Sequence, residues 1–148
     1  MRIRVREDAI PVNITVARDY PTGKRDACLK VEAEMEAAGI SRRWDKPTRF
    51  CSRAFFIPKK ASDQMRLIID FCALNSSCTR IGYPFSSSES IFRTIPETAL
   101  VFMLFDLLMS YLQLAVHEDD IGYLAYLLPS GKWAIACGPW DTWAVVTN

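Results

Sequence analysis

The chain opens with polar, proline-containing residues and then gains a helical period. Residues 1–20 show no sustained repeat of apolar positions, which is typical of an extended N-terminal arm. Between Asp26 and Gly39, apolar residues recur at helical spacing while charged residues fill the positions between them. Asp26 is a suitable N-cap residue, and Gly39 suits the position just beyond a helix C-terminus. The pattern predicts one amphipathic helix whose apolar side packs against a core.

Two pairs of short β-prone runs follow, and each pair is joined by a turn-forming connection. The first pair is 54–57 and 65–69, with a polar connection that contains Pro58. The second pair is 123–128 and 132–137, joined by the turn-forming residues Pro-Ser-Gly. Both arrangements predict β-hairpins.

Between the hairpins lies the most apolar part of the chain. Ser86 followed by Glu89 forms a capping-box pattern, which predicts a short helix beginning near Ser86. Residues 100–105 are all apolar, as in a central strand with both faces covered, and Asp106 follows at its end. An ionised acid taken out of water costs several kcal/mol unless it is paired, hydrogen-bonded or bound to a cation. Asp106 is therefore a candidate for a metal-binding role.

Composition adds a charge asymmetry that the net charge of +1 conceals. The 148 residues, half of them apolar, suffice for one domain with a core. Residues 1–66 carry 15 Lys and Arg against 9 Asp and Glu, a balance of +6, and residues 67–148 carry 3 against 8, a balance of −5. A basic part beside an acidic part suits a protein that binds a polyanion and metal ions. Two ordinary solvated faces are the alternative.

The cysteines, the N-terminus and the longest apolar run indicate where in the cell the protein is found. The five cysteines are odd in number and show no C-x-x-C spacing, which indicates neither a disulfide framework nor a zinc site. The N-terminus lacks the apolar region of a secretory signal. Residues 99–116 approach the length of a membrane span, but Asp106 interrupts them and no Lys or Arg flanks them. We expect an intracellular protein, in cytoplasm or nucleus, with no membrane partner.

Two groups of cations are candidates for phosphate binding. The first hairpin would fold Lys59 and Arg66 toward each other, so both could reach one phosphate group. Solvation of the hairpin tip is the alternative. The loop 41–50 holds four more cations with the same two interpretations: Arg42, Arg43, Lys46 and Arg49.

Short strings of residues occur along the chain in one particular order. They are Gly39-Ile40, Pro47-Thr48-x-x-Cys51-Ser52, Phe55-Phe56-Ile57-Pro58-Lys59-Lys60, Met65-Arg66-Leu67-Ile68-Ile69-Asp70-Phe71 with Leu74-Asn75, Tyr83-Pro84-Phe85, Phe105-Asp106-Leu107 with Tyr111-x-Gln113, and Leu128-Pro129-Ser130-Gly131-Lys132. In this order they resemble the N-terminal part of a retroelement reverse transcriptase, most like the gypsy-type enzymes. The resemblance covers roughly residues 20–139.

The resemblance implies an α+β fold, namely the fingers and part of the palm of a right-hand polymerase. Such a fragment has short β-hairpins, a small antiparallel sheet and a few helices. It divides the chain into an N-terminal arm (1–20), reverse-transcriptase-like fingers and partial palm (21–139), and a divergent C-terminal tail (140–148).

The resemblance also implies roles for individual residues. Asp106 matches the first catalytic aspartate, a ligand of the Mg²⁺ ions of nucleotidyl transfer, since hard Mg²⁺ prefers oxygen ligands. Leu107 would contribute its backbone carbonyl, and Tyr111 would lie beneath the incoming sugar. Lys59 and Arg66 match the cations of the fingers that hold the triphosphate. Two further positions match residues that organise the fingers and template region: Asp70 and Asn75.

Departures from the family pattern limit the expected chemistry. Cys72 stands where the family usually has an arginine, and 108–110 lacks the usual glycine. The second catalytic motif, with two adjacent aspartates, is not in this sequence, and 118–120 is interpreted as a solvated turn that does not replace it. One of three expected carboxylates leaves a two-metal site incomplete, so we expect no polymerase activity from this chain alone.

The sequence thus predicts a truncated reverse transcriptase domain. Its expected partners are an RNA or DNA template-primer, dNTP and the remainder of a retroelement polyprotein. A repurposed, non-catalytic nucleic-acid-binding or assembly module is the second hypothesis. A fragment that does not fold stably is the third, because half a palm leaves sheet edges and apolar surface uncovered.

Overall fold

The computed structural model describes residues 2–60, 64–79, 84–106, 114–136 and, for the backbone, 145–147. In chain order its elements are α1 (Arg25–Ala37), β1 (Ser41–Arg43), β2 (Ser52–Pro58), β3 (Met65–Asp70), α2 (Cys72–Ser77), α3 (Ser88–Arg93), a 3₁₀ helix (Glu118–Leu124), β4 (Ala125–Leu128), β5 (Gly131–Ile135) and β6 (Val145–Thr147). Within these ranges, no helix is long and apolar enough to cross a membrane.

The six strands form one sheet in the order β1-β5-β4-β2-β3-β6. The pairs β1/β5, β4/β5 and β2/β3 are antiparallel, whereas β2/β4 and β3/β6 are parallel. The α+β class predicted from the sequence is confirmed. The sheet is mixed because it contains these two parallel pairs. In the first of them, β2 and β4 lie side by side although they come from two different hairpins.

Helix α1 forms where the hydrophobic period predicted it, with small shifts at its ends. Its N-cap residue is Lys24, two positions before the expected Asp26, and it has no side-chain capping bond. Gly39 adopts φ 68° just beyond the helix, a left-handed conformation that glycine adopts without steric cost. Cys28 and Met35 are buried as expected from the apolar stripe.

Both predicted hairpins are present. In the first, β2 and β3 pair from Arg53↔Asp70 to Pro58↔Met65. In the second, β4 and β5 are joined by a turn at which Gly131 has φ +133°. A side chain there would be strained, and an added Cβ would lie 2.9 Å from Nη1 of Arg43.

A buried carboxylate joins the second hairpin to α1. Glu32, only 5% exposed, accepts hydrogen bonds from the Tyr20 hydroxyl at 2.8 Å and from Ser130 Oγ at 2.5 Å. The indole nitrogen of Trp133 donates to Ser130 Oγ at 3.0 Å. Burial raises the pKa of Tyr20, so its hydroxyl stays protonated and can donate. The hydrophobic period did not predict Glu32 as a core residue.

The N-terminal arm is extended, as expected, and it is docked on the body. Val5 forms an antiparallel bridge with Cys78, and Asn13 forms a parallel bridge with Cys51. The backbone amide of Ile3 donates to Asp120 at 2.9 Å. Asp120 is 5% exposed, so the prediction of a solvated turn at 118–120 is wrong for this residue: the arm covers it.

The apolar stretch between the hairpins does not form the predicted strand. Helix α3 is capped by Ser87, whose Oγ accepts from the Ser90 amide at 3.1 Å, one residue from the expected Ser86. Residues 100–105 have no regular secondary structure, and their side chains are 70% to 96% exposed. The prediction of a central strand here is wrong, because no strand in the described part of the chain pairs with this segment.

Candidate nucleic-acid interface

The first hairpin has one buried face and one face that carries cations. Side chains alternate between the faces of a strand, so every second residue points away from α1. The core face consists of Ala54, Phe56, Met65, Leu67 and Ile69. We call the opposite side the outer face, and its side chains on β2 and β3 are Arg53, Phe55, Ile57, Arg66, Ile68 and Asp70.

Lys59 extends the outer face beyond the end of β2. Its backbone amide donates to the carbonyl of Gln64 at 2.9 Å, which continues the pairing of the hairpin by one step. Its Nζ donates to Oε1 of Gln64 at 3.2 Å. Ile57 pairs with Arg66, and Lys59 lies two residues beyond Ile57, so Lys59 and Arg66 point to the same side. The hairpin therefore brings these two cations together, as expected, while their role stays a prediction.

Arg66 is a cation without an acidic partner in the described ranges. Its side chain is partly buried, and its Nε is inaccessible to solvent with no hydrogen-bond acceptor. An unpaired polar donor removed from water is unfavourable. The Nε itself cannot reach an external ligand, but the side chain is only partly buried and no described acid neutralises its charge, so the guanidinium as a whole can attract an anion near the hairpin tip.

Two further cations lie on the outer face, and one of them contacts an aromatic ring. The guanidinium of Arg18, from the N-terminal arm, lies 5.2 Å from the centre of the Phe55 ring, a cation–π distance. Arg53 is exposed on β2. Sequence reasoning missed Arg18, Arg53 and Phe55. A period of two along β2 could have placed Arg53 and Phe55 on the same side as Lys59.

Asp70 is the carboxylate opposite Arg53 in the hairpin. Its Oδ1 accepts from the Cys72 amide at 3.0 Å, and this bond, assisted by the Cys72 side chain and the charge of Arg53, lowers the pKa of Asp70. Asn75 is exposed on α2. The geometry therefore gives Asp70 a structural role at the start of α2, and the template role of both residues stays a prediction.

A cleft of about 270 Å³ opens beside Asp70, between the N-terminal arm, the start of β2 and α2. Its lining residues are Val12, Ile14, Phe50, Cys51, Ser52, Arg53, Asp70, Ala73 and Leu74. The lining mixes apolar side chains with the polar Ser52 and the charged Arg53 and Asp70.

Asp106 is exposed at the end of the segment 100–106, and it makes no hydrogen bond or ion pair with any described residue. Leu107 and Tyr111 lie outside the described residues. In the ranges that are described, no group of three or more His, Cys, Asp or Glu side chains could hold a metal ion. A two-metal site needs several carboxylates, and the role of Asp106 as a Mg²⁺ ligand stays a prediction.

Solved structures of foamy viral protease–reverse transcriptases are similar in fold to this chain. The chain is similar to prototype foamy virus protease–reverse transcriptase, in its native form (TM-score 0.69, 12% identity, 95% of this chain and 18% of that one) and in a mutant form (TM-score 0.68, 12% identity, 93% and 18%). It is also similar to the foamy viral enzyme in complex with double-stranded DNA (TM-score 0.61, 12% identity, 93% and 22%). The chain has a retroviral reverse-transcriptase-like fold.

The likeness is one of structure, since sequence identity is only 12%. No protein-family model and no curated protein matches the sequence. The chain spans about a fifth of the length of the foamy virus proteins, 18% to 22%.

Proposed function

We propose that this chain is the fingers and partial palm of a retroelement RNA-directed DNA polymerase, most like the gypsy-type enzymes. Residues 21–139 would form that portion, with 1–20 as its arm and 140–148 as a divergent tail. The observation that carries the proposal is Arg66, a partly buried cation without an acidic partner in the described ranges, on the same face as Lys59. The reverse-transcriptase-like fold around this pair supports it.

In this proposal the outer face binds an RNA or DNA template-primer and dNTP. The guanidinium of Arg66 offers a planar fork of donors to phosphate oxygens, and the Lys59 ammonium adds a point charge. Asp70 and Asn75 would organise the template side. The remainder of a retroelement polyprotein would complete the polymerase.

Catalysis is not expected from the 148-residue chain by itself. Asp106 would be the first Mg²⁺ ligand, Leu107 would offer its carbonyl, and Tyr111 would contact the sugar. Stabilising both the attacking and the leaving oxygen takes two ions held by several carboxylates, and the proposed set has one. We therefore propose binding without nucleotidyl transfer.

Binding is tested by fluorescence anisotropy of a labelled primer–template at increasing salt. We compare the wild type with Lys59→Gln/Arg66→Gln and with the control Arg25→Gln/Lys30→Gln, which removes two exposed cations from α1 on the other side of the sheet. We expect the first variant to bind more weakly and its salt slope to fall by roughly 1 to 2, since each lost phosphate contact contributes about 0.9. Equal losses in both variants, or no binding at low salt, would refute the proposal.

Catalysis is tested by primer extension with Mg²⁺ and dNTP on RNA and DNA templates. We expect no extended product from the isolated chain. Template-dependent synthesis would overturn the proposed inactivity.

A repurposed nucleic-acid-binding module is the second candidate. It is favoured by the cationic outer face together with a proposed metal-ligand set that has only one carboxylate, Asp106. A module of this kind would bind single strands and primer–templates with similar affinity, whereas a polymerase portion would gain affinity when a matching dNTP is added.

A further inference from the structure

The cations of the loop 41–50 fall into two groups in the structure. Arg42 pairs with Glu118 at 2.5 Å, and Arg43 stacks over the Trp133 ring at 4.1 Å. Arg49 donates to a backbone carbonyl at 3.4 Å. Arg42 is therefore neutralised by an acid. Arg43 pairs with the buried Trp133, so it lies on the core side of the sheet, and Arg49 is held against the N-terminal arm.

Lys46 differs from the other cations of this loop, and a second lysine lies beside it. Lys132 Nζ donates to the backbone carbonyl of Lys46 at 2.8 Å. The Lys46 ammonium is exposed, 5.4 Å from the centre of the Trp44 ring. In the described part of the chain, neither lysine forms a salt bridge with an acid. The hydrogen bond thus places the Lys132 ammonium beside the backbone of Lys46, and no described acid neutralises either lysine.

The strand register connects this pair to the outer face. Lys132 pairs with Leu127, Leu127 pairs with Arg53, and Arg53 pairs with Asp70. Paired residues point to the same side of a sheet, so Lys132 and Arg53 share one face at a Cα separation of about 10 Å, two strand spacings.

The outer face therefore carries cations at both ends. From Arg66 to Lys132 the path crosses three strand spacings and about four residues of β2, a distance of about 20 Å. Phe55 and Leu127 lie between the ends. Arg18 lies over one side of the Phe55 ring, so a base would stack beside the Arg18–Phe55 pair or on the guanidinium itself. Among the described residues, the cations on or beside this face include Arg18, Lys46, Arg53, Lys59, Arg66 and Lys132. Arg42, which pairs with Ala134, also lies there but is neutralised by Glu118, and Asp70 is a second acid on this face.

We propose that Arg53, Lys132 and Lys46 form a second phosphate-binding strip, and that single-stranded nucleic acid crosses the sheet diagonally from the Lys59–Arg66 pair to this strip. The inference rests on the proposed function and extends its footprint across β2, β4 and β5. Single-stranded nucleic acid is the ligand because its spaced phosphates meet the separated cations while its bases lie over the apolar middle.

The test uses labelled oligothymidylates of two lengths in a salt titration: about ten nucleotides, which can span about 20 Å, and about three, which cannot. We expect Arg53→Gln/Lys132→Gln to weaken binding of the longer probe and to lower its salt slope by about 1.4, since each lost contact on a single strand contributes about 0.7. Binding of the short probe should stay unchanged. Lys59→Gln/Arg66→Gln should weaken binding of both probes, and Arg25→Gln/Lys30→Gln neither.

Each other outcome has a defined meaning. If Arg53→Gln/Lys132→Gln binds the longer probe with the affinity and salt slope of the wild type, the second strip alone is overturned. If Lys59→Gln/Arg66→Gln leaves the binding of both probes unchanged, the proposed function is overturned. An effect on duplex DNA but not on the longer single strand would overturn the choice of ligand. If the double variant unfolds, Lys46→Gln tests the strip instead, because it keeps the backbone carbonyl that Lys132 contacts. We expect it to lower the salt slope for the longer probe by about 0.7.

Discussion

The hairpin of β2 and β3 and the segment 100–105 are both rich in apolar residues, yet they differ completely in burial. Phe56 in the hairpin is 6% exposed, whereas Phe105 in the segment is 82% exposed. The hairpin strands are joined by a short connection and pair with each other, while no described strand pairs with 100–105. An apolar segment is therefore buried only where another part of the chain packs against it.

The hydrophobic patterns explain why the two regions need different partners. In the hairpin, one face packs in the core with α1, and the opposite face mixes charged with apolar side chains. The continuous run at 100–105 has two apolar faces and two edges, so it needs strands beside it and layers above and below. A neighbouring strand joined by one short connection, as in the hairpin, covers only one of these edges and neither face.

The largest expected effect is on the hairpin side of this comparison. Phe56→Ala removes a buried ring from the core, so we expect the free energy of unfolding to fall by about 3–5 kcal/mol. Urea unfolding followed by circular dichroism measures it. Phe105→Ala is the matched control, and an equal loss there would mean that the segment 100–105 is buried in solution.

A smaller effect is expected where α1 meets the second hairpin. Glu32→Gln replaces a carboxylate oxygen that accepts a hydrogen bond by an NH₂ group, which leaves Tyr20 or Ser130 without its acceptor. We expect a loss of about 1–3 kcal/mol in the free energy of unfolding. The exposed Glu34→Gln on the same helix should change it little. Equal effects would show that the buried network is not stabilising.

Asp70, in the hairpin, should make a small pH-dependent contribution to the free energy of unfolding. Its pKa is lower in the folded chain than in the unfolded one, so its stabilising effect is complete above the unfolded-state pKa and is lost as the pH falls through the folded-state pKa. Asp70→Asn should cost at most about 1 kcal/mol near neutral pH, because the group is exposed. The difference from wild type should vanish in acid, and a constant difference would contradict the linkage.

The smallest effect on stability is expected in the exposed segment. Phe102→Ser/Leu104→Ser changes side chains that are 70% and 96% exposed, so the free energy of unfolding should change by no more than about 0.5 kcal/mol. Self-association, measured by sedimentation velocity, should decrease because an apolar patch is removed. A large loss of stability would show that these side chains are covered in solution.

Local pattern was sufficient for the elements whose partners are close in the chain. The helical period located α1, and alternation with turn residues located both hairpins. The capping pattern located α3 to within a few residues, with Ser87 in place of Ser86 as the cap. The hairpin also brought Lys59 and Arg66 to one side, because that placement depends only on register.

Contacts between distant parts of the chain required the assembled structure. Glu32 is buried because Tyr20 and Ser130 meet there, and Asp120 because the N-terminal arm covers it. Arg53 and Lys132 share a face because β2 and β4, from separate hairpins, pair in parallel. A one-dimensional period specifies which side of its own element a residue occupies, whereas the neighbour on that side comes from elsewhere in the chain.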